Sequence, residues 1–65
     1  LKYVQSGKEI EIQYPMSFEQ VLVSDVQGKE ILKTNQKSFT LPSEGCFVIV
    51  VESKGKIYSA KIISL

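Results

Sequence analysis

Apolar and polar residues alternate along most of this chain, in short runs that turn-forming residues separate. The alternation is strict from Glu9 to Tyr14, where Ile10, Ile12 and Tyr14 share one face and polar residues stand between them. A period of two is typical of a strand with one buried face. Pro15 ends this strand, because proline lacks the N–H group that a sheet ladder needs.

The same pattern predicts seven short strands with turns between them and no stable helix. The predicted strands are Leu1–Val4, Glu9–Tyr14, Phe18–Asp25, Lys29–Thr34, Ser38–Leu41, Cys46–Glu52 and Lys56–Ser64. No connection is long enough for a helical crossover, so neighbouring strands should pair as antiparallel hairpins. Short strands at this spacing are typical of an all-β sandwich or barrel.

The strand from Cys46 is apolar at every position as far as Val51. A strand that is covered on both faces has this pattern, so we expect it to be central, with Phe47 and its row in the core and Cys46 buried as a small apolar side chain. In the strand that begins at Lys29 we expect Ile31 to be the core residue. In the last strand Tyr58, Ala60 and Ile62 should share one face, and Ile57 and Ile63 the other.

The chain has 65 residues and therefore forms one domain at most. It begins with Leu1, so we expect a fragment, the C-terminal piece of a larger secreted protein. No apolar run reaches the ~20 residues of a membrane-spanning helix. The net charge is +1 and the lysines are scattered, whereas nucleic-acid binding needs clustered positive charge; we expect no nucleic-acid partner.

The side chains offer little for catalysis. Histidine is absent and Cys46 is the single cysteine, which excludes a Ser-His-Asp triad, a Cys-His pair and a histidine metal site within the chain. Glu9 and Glu11 should be solvated charges on an outward face. Asp25 should close its own turn rather than bind calcium. We expect no enzyme, no cofactor and no metal site.

Two tyrosines leave an alternative open. Tyr14 and Tyr58 stand in strand rows with isoleucine neighbours, which favours core packing with the hydroxyl at the rim. Together with Tyr3 they could instead form an aromatic platform for sugars.

Three blocks of residues, taken in order, resemble the C-terminal sorting domain of the type IX secretion system of Bacteroidetes-type bacteria. The resemblance covers roughly residues 18–65. The blocks are Val21-x-Val23-x-Asp25-x-x-Gly28-Lys29-x-Ile31, then Leu41-Pro42-x-x-Gly45-x-Phe47-Val48-Ile49-x-Val51, then Gly55-Lys56-x-Tyr58-x-x-Lys61-Ile62-Ile63 at the end of the chain.

The resemblance implies an immunoglobulin-like antiparallel β-sandwich of about seven strands, in line with the strand pattern. It also implies a tail that docks with secretion apparatus proteins at the outer membrane and takes its cargo through the periplasm to the cell surface. The positions that it marks are Asp25, Gly28, Leu41, Pro42, Gly45, Phe47, Gly55, Lys56 and Lys61.

The chain departs from the family pattern in three places. It has no opening Pro-Asn-Pro segment. Leu-Pro-Ser-Glu-Gly is one residue longer than the usual loop, and Cys46 follows it where a β-branched residue is common. The connection from Ile31 to Leu41 is short. An immunoglobulin-like binding or adhesion module of a surface protein is therefore the alternative. In either case the free edge strands of so small a sandwich favour a weak homodimer.

Overall fold

A computed structural model describes all 65 residues, and it consists of strands and turns without a helix. The strands are β1 (Lys2–Ser6), β2 (Glu9–Tyr14), β3 (Gln20–Asp25), β4 (Glu30–Thr34), β5 (Ser38–Thr40), β6 (Gly45–Ser53) and β7 (Lys56–Ser64). Each predicted strand is present, with its ends within about two residues of the prediction, the usual uncertainty of strand ends.

The strands form two antiparallel sheets that pack face to face. One sheet has the order β1-β2-β5 and the other has the order β4-β3-β6-β7. The prediction of an all-β sandwich is confirmed. The likeness to an immunoglobulin domain is loose, because β4 pairs with β3 in the larger sheet, whereas the fourth strand of a constant-type domain belongs to the sheet of the first, second and fifth strands.

The core lies between the sheets and centres on the pairing of β3 with β6. Val21 pairs with Val51 and Val23 with Ile49, and these four side chains are fully buried. They belong to a cluster of nine buried apolar residues to which both sheets contribute: Ile10, Ile12, Val21, Val23, Leu41, Phe47, Ile49, Val51 and Ile62. Each large side chain in such a layer contributes about 1.5–3 kcal/mol through its burial.

The outer row of β6 differs from the prediction. Cys46 is exposed, and Val48 and Val50 are half-buried. β6 is central in its sheet because β3 and β7 pair with it on either side, but no second layer covers the outer face of that sheet. The prediction of burial on both faces, and of a buried Cys46, was therefore wrong: the apolar run reflects the packing preference of β-branched residues on a sheet surface.

The prediction that Ile31 is the core residue of β4 was also wrong. Val23 pairs with Leu32 and Ser24 pairs with Glu30, so a bulge leaves Ile31 without a partner. Leu32 packs against the core, and Ile31 is 37% exposed. An extra residue in one strand shifts the inward face by one position, which is why alternation alone misplaced the contact.

The longest hairpin joins β6 to β7. Ser53 pairs with Lys56 across a two-residue turn in which Lys54 has φ 53° and Gly55 has φ 77°. Two positive φ values are what a type I′ turn requires, and its twist matches that of the flanking strands. As predicted, Ile62 faces the core and Ile57 and Ile63 face outward.

Replacing Phe47 by alanine should lower the free energy of unfolding by about 3–5 kcal/mol, because the ring is buried and a cavity would remain. Urea denaturation measures the change. The matched control is Ile31→Ala, which should cost about 1 kcal/mol or less, because the bulge places that side chain at the surface. Equal losses in the two variants would contradict the core described above.

Candidate functional site

Most of the positions that the sequence singles out lie at one end of the sandwich, which we call the loop end. It comprises the β3–β4 turn and the β5–β6 loop. Asp25, the last residue of β3, lies directly opposite Phe47 near the start of β6. The positions brought together here are Asp25, Gly28, Leu41, Pro42, Gly45 and Phe47.

Asp25 holds the β3–β4 turn together. Its Oδ1 accepts hydrogen bonds from the backbone N–H groups of Gln27 at 2.9 Å and Lys29 at 3.0 Å. Gly28 N–H donates to the Asp25 carbonyl at 3.0 Å, and Gly28 takes φ 88°, a conformation that glycine adopts without strain. The prediction that Asp25 closes its own turn is confirmed.

The β5–β6 loop is anchored at its first residue. Leu41 is buried in the core, and its N–H donates to the Lys8 carbonyl at 2.7 Å, which ties the loop to the β1–β2 turn. The next residue, Pro42, is exposed. The loop end therefore presents a short rigid loop beside a closed turn, and its polar groups are engaged mainly with the backbone.

The remaining marked positions lie elsewhere. Gly55 belongs to the β6–β7 turn and Lys56 is the first residue of β7, both at the opposite end of the sandwich, which we call the hairpin end. Lys61 lies in the middle of β7, where it pairs with Val48 and its side chain is exposed on the outer face. The marked positions therefore form two separate ends and one face, rather than a single cluster.

Hydrogen bonds fasten the segment between β2 and β3 onto the hairpin end. The Ser53 hydroxyl donates to the Ser17 carbonyl at 2.8 Å, and Lys54 N–H donates to the Glu19 carboxylate at 2.8 Å. Sequence reasoning missed these residues, because each bond joins segments that are far apart in the chain and no local motif signals it.

A shallow cleft of about 260 Å³ opens beside these bonds. The rings of Tyr14 and Tyr58 meet edge to face in its wall, with centroids 5.9 Å apart. Desolvation and the adjacent Tyr14 side chain raise the pKa of Tyr58 above its ordinary value. Tyr14 is 50% exposed, so its predicted place in the core was wrong. Lys54 and Lys56 also line the cleft.

The carboxylates do not gather into an acid/base or metal site. Glu9 and Glu11 are exposed on the outer face of the three-stranded sheet, as predicted. The structure contains no group of three or more His, Cys, Asp and Glu side chains that could hold a metal ion. It also contains no helix that is long and apolar enough to cross a membrane.

Comparisons of the chain with protein-family models, with curated proteins and with solved structures give no match. The functional assignment therefore depends on the residues and on their placement in the fold.

Asp25→Ala should lower the free energy of unfolding by about 1–3 kcal/mol, because two turn N–H groups lose their acceptor. Thermal or urea denaturation gives the value. Asp25→Asn is the matched control: both bonds use a single oxygen, which the amide keeps, so this variant should retain most of the stability. Equal losses would show that the negative charge, rather than the turn geometry, is what the site requires.

Proposed function

We propose that this chain is a non-enzymatic sorting domain, which directs an attached secreted or surface protein across the outer membrane by a type IX secretion apparatus. The observation that carries the proposal is the order and spacing of the three residue blocks that end with Ile63. The expected route leads through the periplasm to the cell surface, and the expected partners are apparatus proteins at the outer membrane.

The placement of the marked residues supports a recognition role. Asp25 and Gly28 set the shape of the β3–β4 turn, and Gly55 sets that of the β6–β7 turn. Leu41 and Phe47 are buried in the core at the loop end. A protein that is read by its shape needs rigid, closed turns and no reactive group. A partner can contact three exposed side chains: Pro42 at the loop end, Lys56 at the hairpin end and Lys61 on the outer face of β7.

A reporter fusion tests the proposal. Residues 1–65 are joined to the C-terminus of a periplasm-directed reporter in a bacterium that has the type IX apparatus. We expect the reporter at the cell surface or in the medium, and we expect it to stay in the periplasm of a strain without the apparatus. A folded fusion that remains periplasmic in the competent strain would refute the proposal.

Charge reversal locates the contact. Lys56→Glu/Lys61→Glu should reduce export at least severalfold, because a partner that recognises these lysines would meet like charge instead. Lys33→Glu/Lys37→Glu is the matched control, with the same charge change at two exposed lysines outside the marked set. If both pairs reduce export equally, net charge rather than the marked positions is responsible.

A second candidate is a binding module for acidic sugars, and the cleft at the hairpin end favours it. Tyrosine rings offer apolar faces to sugar rings, and Lys54 and Lys56 attract carboxylate or sulfate groups. A glycan array of acidic oligosaccharides probed with the isolated chain should then show binding that Tyr14→Ala abolishes and Lys33→Glu leaves intact. An array without signal would count against this candidate.

A further inference from the structure

The strand β7 is a free edge of the larger sheet. It pairs along its whole length with β6 and has no neighbour in the sheet on its other side. Gln5, in the other sheet, donates from Nε2 to the Ile63 carbonyl at 2.7 Å, so this carbonyl points away from β6. Successive residues of an antiparallel strand turn their backbone groups to opposite sides. Ile57, Ser59 and Lys61 therefore also present N–H and C=O groups to the free side.

The side chains of these residues form a distinct row on the outer face. Ile57 is 69% exposed and Ile63 is 57% exposed, one near each end of the strand, and Ser59 and Lys61 lie between them. The edge thus combines unpaired backbone groups with an apolar residue near each end and a short polar centre. Such an edge is a template for the addition of another strand.

We propose that β7 pairs with β7 of a second copy of this chain, antiparallel, about a twofold axis at Ala60. In this register Ile57 lies opposite Ile63 of the second copy, and Ser59 lies opposite Lys61 of the second copy. The result is one continuous sheet across two sandwiches. Both exposed isoleucines of each chain are paired, and the overlap covers all of β7.

The neighbouring registers are worse. A shift that places Ser59 opposite itself brings Lys61 against Ile57 and leaves Ile63 unpaired. A shift in the other direction places Lys61 opposite Lys61 of the second copy, and like charges directly opposite each other destabilise a sheet. The register centred on Ala60 avoids both faults.

The Gln5 side chain competes with this pairing for a backbone carbonyl group. Its amide occupies the Ile63 carbonyl, which the second copy would use for the N–H of its Ile57. The side chain therefore guards one end of the edge, as other blocking devices do on natural edge strands. Contact along one strand also buries little surface, which places the dimer among weak and concentration-dependent complexes.

Disulfide trapping tests the register. In the proposed pairing Ala60 faces itself in a non-hydrogen-bonded pair, with about 4.5 Å between Cα atoms, which suits a disulfide. In a Cys46→Ser background, oxidised Ala60→Cys should form covalent dimers at least about tenfold faster than Ser59→Cys, whose thiols would not face each other. Equal rates, or faster trapping of Ser59→Cys, would overturn the proposal.

Sedimentation equilibrium of the parent chain, and of variants without an added cysteine, tests whether the β7 edge forms the dimer. Gln5→Ala should lower the dissociation constant about fivefold or more, because a competing hydrogen bond is lost. Ile57→Lys/Ile63→Lys should abolish the dimer, because like charges replace both apolar pairs, and Lys33→Glu should have little effect. Circular dichroism confirms that each variant is folded. A parent chain and a Gln5→Ala variant that both stay monomeric at millimolar concentration would overturn the proposal.

Discussion

The pairing of β3 with β6 is the interaction on which the rest of the structure depends. Val21, Val23, Ile49 and Val51 lie side by side at the centre of the larger sheet, with no solvent exposure, against the smaller sheet. A slip of one residue in this pairing would turn the inward row of a strand to solvent. Because the domain is small, no other part of the core could offset that loss. Because β7 pairs with β6, the row of β6 that faces the core also determines which side chains of β7 face inward.

This constraint leaves the turns, the outer faces and the free edges for function. The inward positions are filled by aliphatic side chains, and the polar groups of the turns are satisfied largely by the backbone. Asp25 serves its own turn, and Leu41 ties a loop to the core. What distinguishes the surface is the shape of two ends and the unpaired edge of β7. The sorting role that we propose would use these turns, and the strand pairing that we propose would use this edge.

Local sequence information was sufficient to predict where the strands lie, but it was insufficient to predict which of their side chains are buried. The strands could be predicted because a period of two and turn residues are local signals. Ile31 was misplaced because a bulge changes the face without changing the composition. Cys46 was misplaced because an apolar run does not reveal whether a second layer covers it. Tyr14 shares the face of its isoleucine neighbours but lies at the hairpin end of the sandwich, where its ring is half exposed. The convergence of Asp25 with the loop after Leu41 needs the sheet order, which no local pattern contains.

Residue-resolved hydrogen exchange of the β7 amides tests the central claim most directly, namely that the sheet order leaves this strand with one side paired to β6 and one side unpaired. In dilute solution the amides of Tyr58, Ala60 and Ile62 should be protected, because they point to β6, while those of Ser59 and Lys61 should exchange rapidly. At high concentration Ser59 and Lys61 should gain protection as the edges pair. Uniform protection along β7 in the dilute monomer, or the reverse alternation, would contradict the account.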